Sequence, residues 1–181
     1  MGTTMKRIAI IGLGLFGRRL AHLLAEAGAD VIAIDRQQEL IERVRDEVSL
    51  AICMDATNEQ ALRANGLDQV DVAVVGVGNS FEDAALIVTL LEQLKVPRII
   101  SRATSHTRRE ILQRIGADEI VDPEREAAER WRNRLMLPTI LEHITLGDGF
   151  SLVQVGVPAS FIDKTLGDLD IRKKHHVNVV G

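Results

Sequence analysis

The sequence predicts an α/β protein built on a doubly wound parallel six-stranded sheet of the Rossmann type. Short apolar strands alternate with amphipathic helices along the first three quarters of the chain, which is typical of a parallel sheet covered on both faces. A glycine-rich turn joins the first strand to the first helix, and an acidic residue ends the second strand. In such sheets the functional edge lies at the carboxyl ends of the strands.

Six strands and six helices follow one another in order. The strands are predicted at Arg7–Ile11, Val31–Ile34, Leu50–Cys53, Val72–Val75, Arg98–Ser101 and Glu119–Val121. The helices are predicted at Leu15–Ala27, Gln37–Glu47, Glu59–Ala64, Ser80–Leu94, His106–Arg114 and Glu124–Leu137. Because Pro138 cannot continue a helix, the last helix is expected to end before it.

The glycine-rich turn has the sequence Gly12-Leu13-Gly14-Leu15-Phe16-Gly17 and follows the apolar run Ile8–Ile11. Its first glycine permits a tight turn, its second lets the backbone approach a pyrophosphate, and its third lets the helix pack closely on the strand. Phosphates would then lie at the helix N-terminus, where free N–H groups favour negative charge. The alternative is a turn of this type that binds no ligand.

Asp35 ends the second strand, 18 residues after Gly17. A carboxylate at this position can accept hydrogen bonds from both ribose hydroxyls of an adenosine, and it would repel a 2′-phosphate. The pattern therefore favours NAD(H) or an adenine nucleotide (AMP, ADP or ATP) over NADP. The alternative is an aspartate that only caps the next helix.

The other strand ends bring polar and small residues to the same edge. Asp55-Ala56-Thr57 follows the third strand and either meets the adenine or caps a helix, whereas Gly76-Val77-Gly78-Asn79 lets a ligand pass near the backbone. Arg102 ends the fifth strand and either reaches a phosphate or pairs with a neighbouring helix. The predicted cofactor-binding residues are Gly12, Gly14, Leu15, Phe16, Gly17, Asp35, Arg36, Asp55, Ala56, Thr57, Gly76, Val77, Gly78 and Arg102. No catalytic residue or metal ligand is predicted.

Composition excludes several classes of protein. No apolar run approaches the ~20 residues of a membrane span, and no signal peptide is present, so the chain is expected to be cytoplasmic and not inserted in a membrane. The single cysteine, Cys53, cannot form an internal disulfide and is expected to be buried. A net charge of −4 and 3% aromatic residues give no basis for binding nucleic acid.

The organisation changes after the sixth strand. Residues 5–137 are predicted to form the first domain, residues 138–149 a short helix and linker, and residues 150–181 part of a second lobe. Since 32 residues are too few to form a sufficient core alone, the chain is expected to be a fragment of a longer protein.

Two helices have more apolar surface than a sheet requires. The helix near Ala84–Leu94 is apolar nearly all round, which indicates either a subunit contact or packing by the chain's own later helix. Trp131 and Leu135 form a second apolar stripe on the last predicted helix. A homodimer through one or both helices is therefore expected.

Several segments resemble the RCK (KTN) regulatory domains of Trk/Ktr potassium-uptake systems and of ligand-gated potassium channels. Besides the glycine turn and Val31–Asp35, the matching segments are Asp55–Glu59, Ile115–Glu124 and Lys164–Leu169. Ile115–Glu124 is the most discriminating, because ordinary dehydrogenases do not share it. Many Ktr-type members carry Arg where this chain has Leu15, so weaker discrimination of ATP from ADP is expected.

This resemblance implies a nucleotide-binding first lobe, a crossover helix pair that dimerises, and a small second lobe that is cut short. It implies a cytoplasmic regulatory subunit or domain, held at the inner face of the membrane by its partner. There it would gate a potassium channel or transporter by ligand-dependent conformational change, within a ring of such subunits. The alternative, an NAD-dependent oxidoreductase fragment, is disfavoured because the chain has no Tyr for a Tyr–Lys pair and no substrate domain follows the sixth strand.

Overall fold

The computed structural model describes residues 6–136, 140–147 and 150–180. These residues divide into two compact units, one ending at Arg125 and one beginning at Glu126. Met5 and Leu137, the predicted ends of the first domain, lie outside the described residues. The boundary between the two units falls near the start of the sixth helix, none of whose residues is buried.

The first unit contains a six-stranded parallel sheet in the order β3-β2-β1-β4-β5-β6. The strands are β1 (Arg7–Ile11), β2 (Asp30–Asp35), β3 (Leu50–Cys53), β4 (Val72–Val75), β5 (Ile99–Arg102) and β6 (Glu119–Val121). Ile11 of β1 is in register with Ile34 on one side and Val75 on the other. Because the strand order reverses at β1, the crevice beside the carboxyl ends of β1 and β4 is the topological switch point. The predicted doubly wound Rossmann sheet is confirmed.

Six helices connect and follow the strands. They are α1 (Leu15–Glu26), α2 (Gln38–Glu42), α3 (Glu59–Ala64), α4 (Phe81–Gln93), α5 (His106–Arg114) and α6 (Pro123–Met136). The side chains of Asn58, Ser80 and Ser105 accept hydrogen bonds from backbone N–H groups at the starts of α3, α4 and α5. Such capping satisfies donors that a helix cannot pair internally, and it fixes where these helices begin.

Apolar side chains cover both faces of the sheet because neighbouring strand residues point to opposite faces. One cluster contains Ile11, Ile32 and Val75 with Ile87 and Leu91 of α4. The other contains Ile8, Ile10 and Val31 with Ala21 of α1 and Ile41 of α2. Burial on both faces explains why the strands are continuous apolar runs.

Most of the apolar surface of helix α4 is buried inside the first unit. Leu90 and Leu91 are only 8% and 0% exposed, so they are not available for a subunit contact. Leu86, at 46% exposed, is the large aliphatic side chain of α4 that reaches the surface. The buried apolar residues of α4 instead share one cluster with the strands and with Leu112 of the later helix α5.

Two sequence expectations are wrong. Cys53 is exposed because β3 is an edge strand of the sheet. The short helix predicted within 138–149 is instead strand β7 (Ile140–Gly147), while residues 138, 139, 148 and 149 lie outside the described part of the chain. A short apolar run is compatible with a helix or with a strand. Here the segment is a strand because it pairs antiparallel with β8 (Phe150–Val155).

The second unit continues with two short helices, α7 (Leu166–Leu169) and α8 (Ile171–His175). The Thr165 side chain and the Asp168 carboxylate form a reciprocal capping box at the start of α7. Within the described residues, no helix combines the length and apolarity needed to cross a membrane.

Candidate functional site

Loops at the carboxyl ends of β1 to β5 surround a cleft of about 320 Å³ in the first unit. This volume lies at the lower end of the range for small-molecule sites. All the predicted site residues except Gly17 line the cleft, namely Gly12, Gly14, Leu15, Phe16, Asp35, Arg36, Asp55, Ala56, Thr57, Gly76, Val77, Gly78 and Arg102. The fold therefore brings together residues that the sequence spreads over five strand ends.

The three glycines of the turn are needed for different reasons. Gly12 has φ +94°, and a Cβ there would lie 2.9 Å from the backbone nitrogen of Val77. A Cβ on Gly17 would collide with the carbonyl oxygen of Gly12, which accounts for the absence of Gly17 from the cleft wall. A Cβ on Gly14 would meet nothing within 4 Å. Gly12 and Gly17 thus hold the turn tightly, and Gly14 leaves space beside the cleft.

Helix α1 begins at this turn without a polar side chain at its start. Gly14 occupies the N-cap position, no side-chain hydrogen bond caps the helix, and its first turn contains no acidic residue. The unpaired N–H groups at the start of a helix favour an anion. Leu15, the first helical residue, is 83% exposed at the cleft.

Asp35 braces the glycine turn against the loop after β2. Its Oδ2 accepts a hydrogen bond of 2.7 Å from the Leu13 N–H, and its Oδ1 accepts one of 2.9 Å from the Gln37 N–H. Since an ionised carboxylate has about four acceptor sites, these two bonds leave capacity for hydroxyl donors of a ligand. The N-cap residue of α2 is Gln37, so Asp35 is not the helix cap considered as an alternative.

Asp55 and Thr57 form a closed turn after β3. The Oδ1 of Asp55 accepts hydrogen bonds from the Thr57 hydroxyl, at 2.7 Å, and from the Thr57 N–H, at 2.9 Å. These two bonds hold the pKa of Asp55 below its usual range, and the positive charge of Arg36 contributes further. Asn58, not Asp55 or Thr57, caps α3.

Both arginines of the cleft wall are paired with carboxylates. Arg36 Nη1 lies 3.6 Å from Asp83 Oδ2, and Arg102 Nη2 lies 2.7 Å from Glu124 Oε1. Glu124 lies in the first turn of α6, where its own backbone N–H and then Arg102 lower the pKa of its carboxyl. The guanidinium of Arg102 lies so close to Gly78 that a Cβ there would collide with Nη1.

Sequence reasoning missed part of the cleft wall. The additional lining residues include Gln37, Leu40, Met54, Ser80, Asp83, Ile87 and Glu124, whereas Asn79 belongs to a segment that the sequence did single out. Gln37 and Ser80 each directly follow a predicted segment, so extending each segment by one residue would have found them. Asp83, Ile87 and Glu124 enter from helices and have no such local signal.

The first unit has the features of a nucleotide-binding domain of the Rossmann type. It has an open parallel sheet, a glycine turn after the first strand, and a strand-end aspartate that accepts a hydrogen bond from that turn. The TrkA-N domain matches residues 8–123, and the chain belongs to this family.

The relatives agree with the resemblance seen in the sequence. The chain is 33% identical to the Ktr system potassium uptake protein C of Bacillus subtilis (strain 168), over 97% of this chain and 79% of that protein. The crystal structure of GsuK bound to ADP is 29% identical, with a TM-score of 0.61, over 72% of this chain and 34% of that chain. The GsuK RCK domain has a TM-score of 0.64 at 24% identity, over 93% of this chain and 35% of that chain, and this likeness shows the fold alone.

Proposed function

We propose that this chain is the nucleotide-binding regulatory component of a potassium channel or transporter. NAD(H) or an adenine nucleotide binds in the cleft and undergoes no chemical change there. The observation that carries the proposal is the 2.7 Å hydrogen bond between the Leu13 N–H and Asp35, because it puts the phosphate-binding turn and the ribose-binding carboxylate side by side.

The residues of the cleft fit such a ligand. The phosphates lie at the glycine turn, where Gly14 leaves room and the start of α1 has no acidic residue. The ribose hydroxyls donate to Asp35, and the adenine lies near Asp55, Ala56 and Thr57. Gly76, Val77 and Gly78 line the path of the ligand, and Arg36 and Arg102 are the cations of the wall.

The regulatory part of the proposal is supported by the relatives, which are named as potassium uptake proteins. A ligand regulates a partner only if it binds two conformations with different affinity, and coupling of about 1–3 kcal/mol is typical. The chain acts as a homodimer that assembles into a ring. It lies at the cytoplasmic face of the membrane through the potassium channel or transporter that it gates.

Calorimetry with the purified chain tests the binding proposal. AMP, ADP, ATP, NAD⁺ and NADH are the ligands, and NADP⁺ is the control because its 2′-phosphate would face Asp35. At least one of the five is expected to bind, and NADP⁺ is expected to bind about tenfold or more weakly than NAD⁺. If none binds, the proposal is wrong.

A turnover assay separates regulation from oxidoreductase activity. NADH is incubated with the chain and a panel of aldehydes, ketones and 2-oxo acids, and its absorbance is followed. The proposal predicts no consumption of NADH beyond a protein-free control. Substrate-dependent oxidation of NADH that requires the folded chain would contradict it.

A further inference from the structure

Arg36 and Asp83 form an ion pair across the cleft. Arg36 directly follows β2 and Asp83 lies in the first turn of α4, and their Nη1 and Oδ2 atoms are 3.6 Å apart. Strands β2 and β4 flank β1 in the sheet, so the segments that follow them start roughly 10 Å apart, on either side of the glycine turn. The ion pair connects these two sides of the crevice.

The pair also connects the two layers of helices. The chain continues from Arg36 into α2, whose Ile41 packs with α1 on one face of the sheet. Helix α4, which carries Asp83, packs on the other face through Ile87 and Leu91. The connections after β1 and β4 therefore lead to opposite faces, and the crevice opens between them. A ligand held in this crevice lies beside the ion pair, since both residues line the cleft.

The two members of the pair are held differently. The Asp83 N–H donates to Ser80 Oγ at 3.1 Å, and the Asp83 side chain is 32% exposed. The Arg36 side chain is 66% exposed. Their separation of 3.6 Å is longer than a hydrogen bond, and an exposed ion pair of this kind opens readily. Asp83 is therefore the fixed member, and Arg36 is the member that moves.

The cleft is of ligand size while the ion pair is formed. Its volume of about 320 Å³ is measured with Arg36 and Asp83 in contact, so the pair belongs to the wall and does not fill the site. The positive charge of Arg36 also lowers the pKa of Asp55, which shows that the guanidinium lies near the turn after β3. Arg36 thus faces the end of the cleft where the proposed function puts the adenosine.

Building on the proposed function, we propose that the Arg36–Asp83 ion pair is a strap that closes over the adenosine part of the bound nucleotide and slows its release. Asp83 is a positioning residue, because it acts on the ligand through the guanidinium that it holds across the crevice. The planar face of a guanidinium packs well on an aromatic ring such as a purine. When the pair opens, Arg36 moves into solvent and the ligand leaves more readily.

Surface plasmon resonance of ADP on the immobilised chain tests the strap with Asp83→Asn. Two effects of this substitution have opposite signs. Loss of a negative charge from the cleft wall favours an anionic ligand, whereas opening the strap speeds its release. The strap predicts that ADP dissociates about two- to fivefold faster, the range expected for an exposed ion pair. Dissociation that is as slow as from the original chain, or slower, contradicts the inference.

Glu82→Gln is the matched control. Glu82 is exposed, precedes Asp83 in the first turn of α4, and does not line the cleft. The control removes the same charge from the same end of the helix, and it should leave the dissociation rate of ADP within about 1.5-fold. An equal acceleration in both variants would overturn the inference, because loss of charge at the start of α4 would then explain both.

Arg36→Gln opens the same pair from its other side and is also expected to speed dissociation of ADP. In this background, Asp83→Asn should add less than about 1.5-fold, because the moving member is already absent. A full acceleration by Asp83→Asn without Arg36 would show that Asp83 does not act through the pair, and it would overturn the inference.

Salt provides a readout that a purely structural role of Asp83 would not change. Raising KCl from about 50 mM to about 500 mM screens an exposed ion pair, so the dissociation rates of the original chain and Asp83→Asn should converge to within about 1.5-fold. A ratio of the two rates that does not change with salt contradicts the strap.

The same measurements separate this inference from the proposed function. If the original chain binds no nucleotide, the proposed function fails. If it binds ADP but Asp83→Asn releases ADP at the original rate, only the strap is wrong.

Discussion

In the proposed function, Asp35 is the residue that recognises the ribose. Each hydrogen bond to its charged carboxylate contributes roughly 1.5–3 kcal/mol. Asp35→Ala is therefore expected to raise the Kd for ADP or NAD(H) about tenfold to a hundredfold, measured by calorimetry. Unchanged affinity would remove Asp35 from the site.

A control is needed because Asp35 also accepts from the backbone of Leu13 and Gln37. Asp35→Asn keeps a side-chain oxygen for one of these bonds but removes the charge. If thermal unfolding shows that both variants remain folded, a smaller loss of affinity in Asp35→Asn than in Asp35→Ala separates hydrogen bonding from charge.

Gly14 and Gly17 allow a matched comparison between binding and stability. Gly17→Ala places a Cβ against the Gly12 carbonyl oxygen and is expected to lower the free energy of unfolding by about 1–3 kcal/mol. Gly14→Ala has open space and φ −59°, so stability should change by less than about 1 kcal/mol. Its nucleotide affinity should nevertheless fall, because the new methyl group would occupy the space that the proposed function assigns to a phosphate.

Chemical denaturation and calorimetry on the two variants provide both measurements. The opposite pattern, a stable Gly17→Ala or a Gly14→Ala with full affinity, would show that the turn does not hold phosphate in the way described.

The turn after β3 is expected to make the stability of the chain depend on pH. Hydrogen bonds from Thr57 lower the pKa of Asp55 in the folded chain, so its stabilising contribution is present above the unfolded-state pKa of about 3.9 and is lost as the pH falls through the lower folded-state value. Thr57→Val removes the hydroxyl donor and should raise the pKa of Asp55, measured by NMR titration of its carboxyl carbon. Thr104→Val, outside this turn, should leave it unchanged. An Asp55 pKa that is the same in Thr57→Val would show that the hydroxyl does not favour the ionised form.

The exposed apolar residues of α6 are expected to mediate association of two copies of the chain. Trp131 and Leu135 are 55% and 72% exposed, which is unusual for large apolar side chains grouped on one helix. Light scattering at ~50 μM should give a dimer, and Trp131→Glu should shift it toward monomer. Leu91→Ala, at a fully buried position of α4, should instead lower stability by about 2–5 kcal/mol and leave association of the folded chain unchanged. A monomer at this concentration would count against the dimer.

The difference between α4 and α6 shows what the sequence could predict. The glycine turn, the strand-end Asp35 and the six strands depend on short patterns, so the sequence sufficed for them. Burial of Leu90 depends on which elements cover α4, and a single helical pattern does not contain that information. The Arg102–Glu124 pair joins residues 22 positions apart, so it emerges only from the fold. Strand β7 depends on its partner β8 in the same way.

One helix spans the boundary between the two compact units. Helix α6 runs from Pro123 to Met136, and the boundary lies between Arg125 and Glu126. Glu124, which pairs with an arginine of the cleft, is therefore on the same helix that leads into the second unit. Helix α6 therefore continues without a break from the cleft wall into the second unit.

Hydrogen exchange with saturating ADP locates the bound nucleotide, which we propose lies at the carboxyl edge of the first unit. Slower exchange is expected at Gly12–Gly17, Asp35–Gln37, Asp55–Thr57 and Gly76–Gly78, with no change in α5. Exchange that stays unchanged at these segments while calorimetry shows ADP to be bound, or protection confined to the β7–β8 sheet, would contradict it.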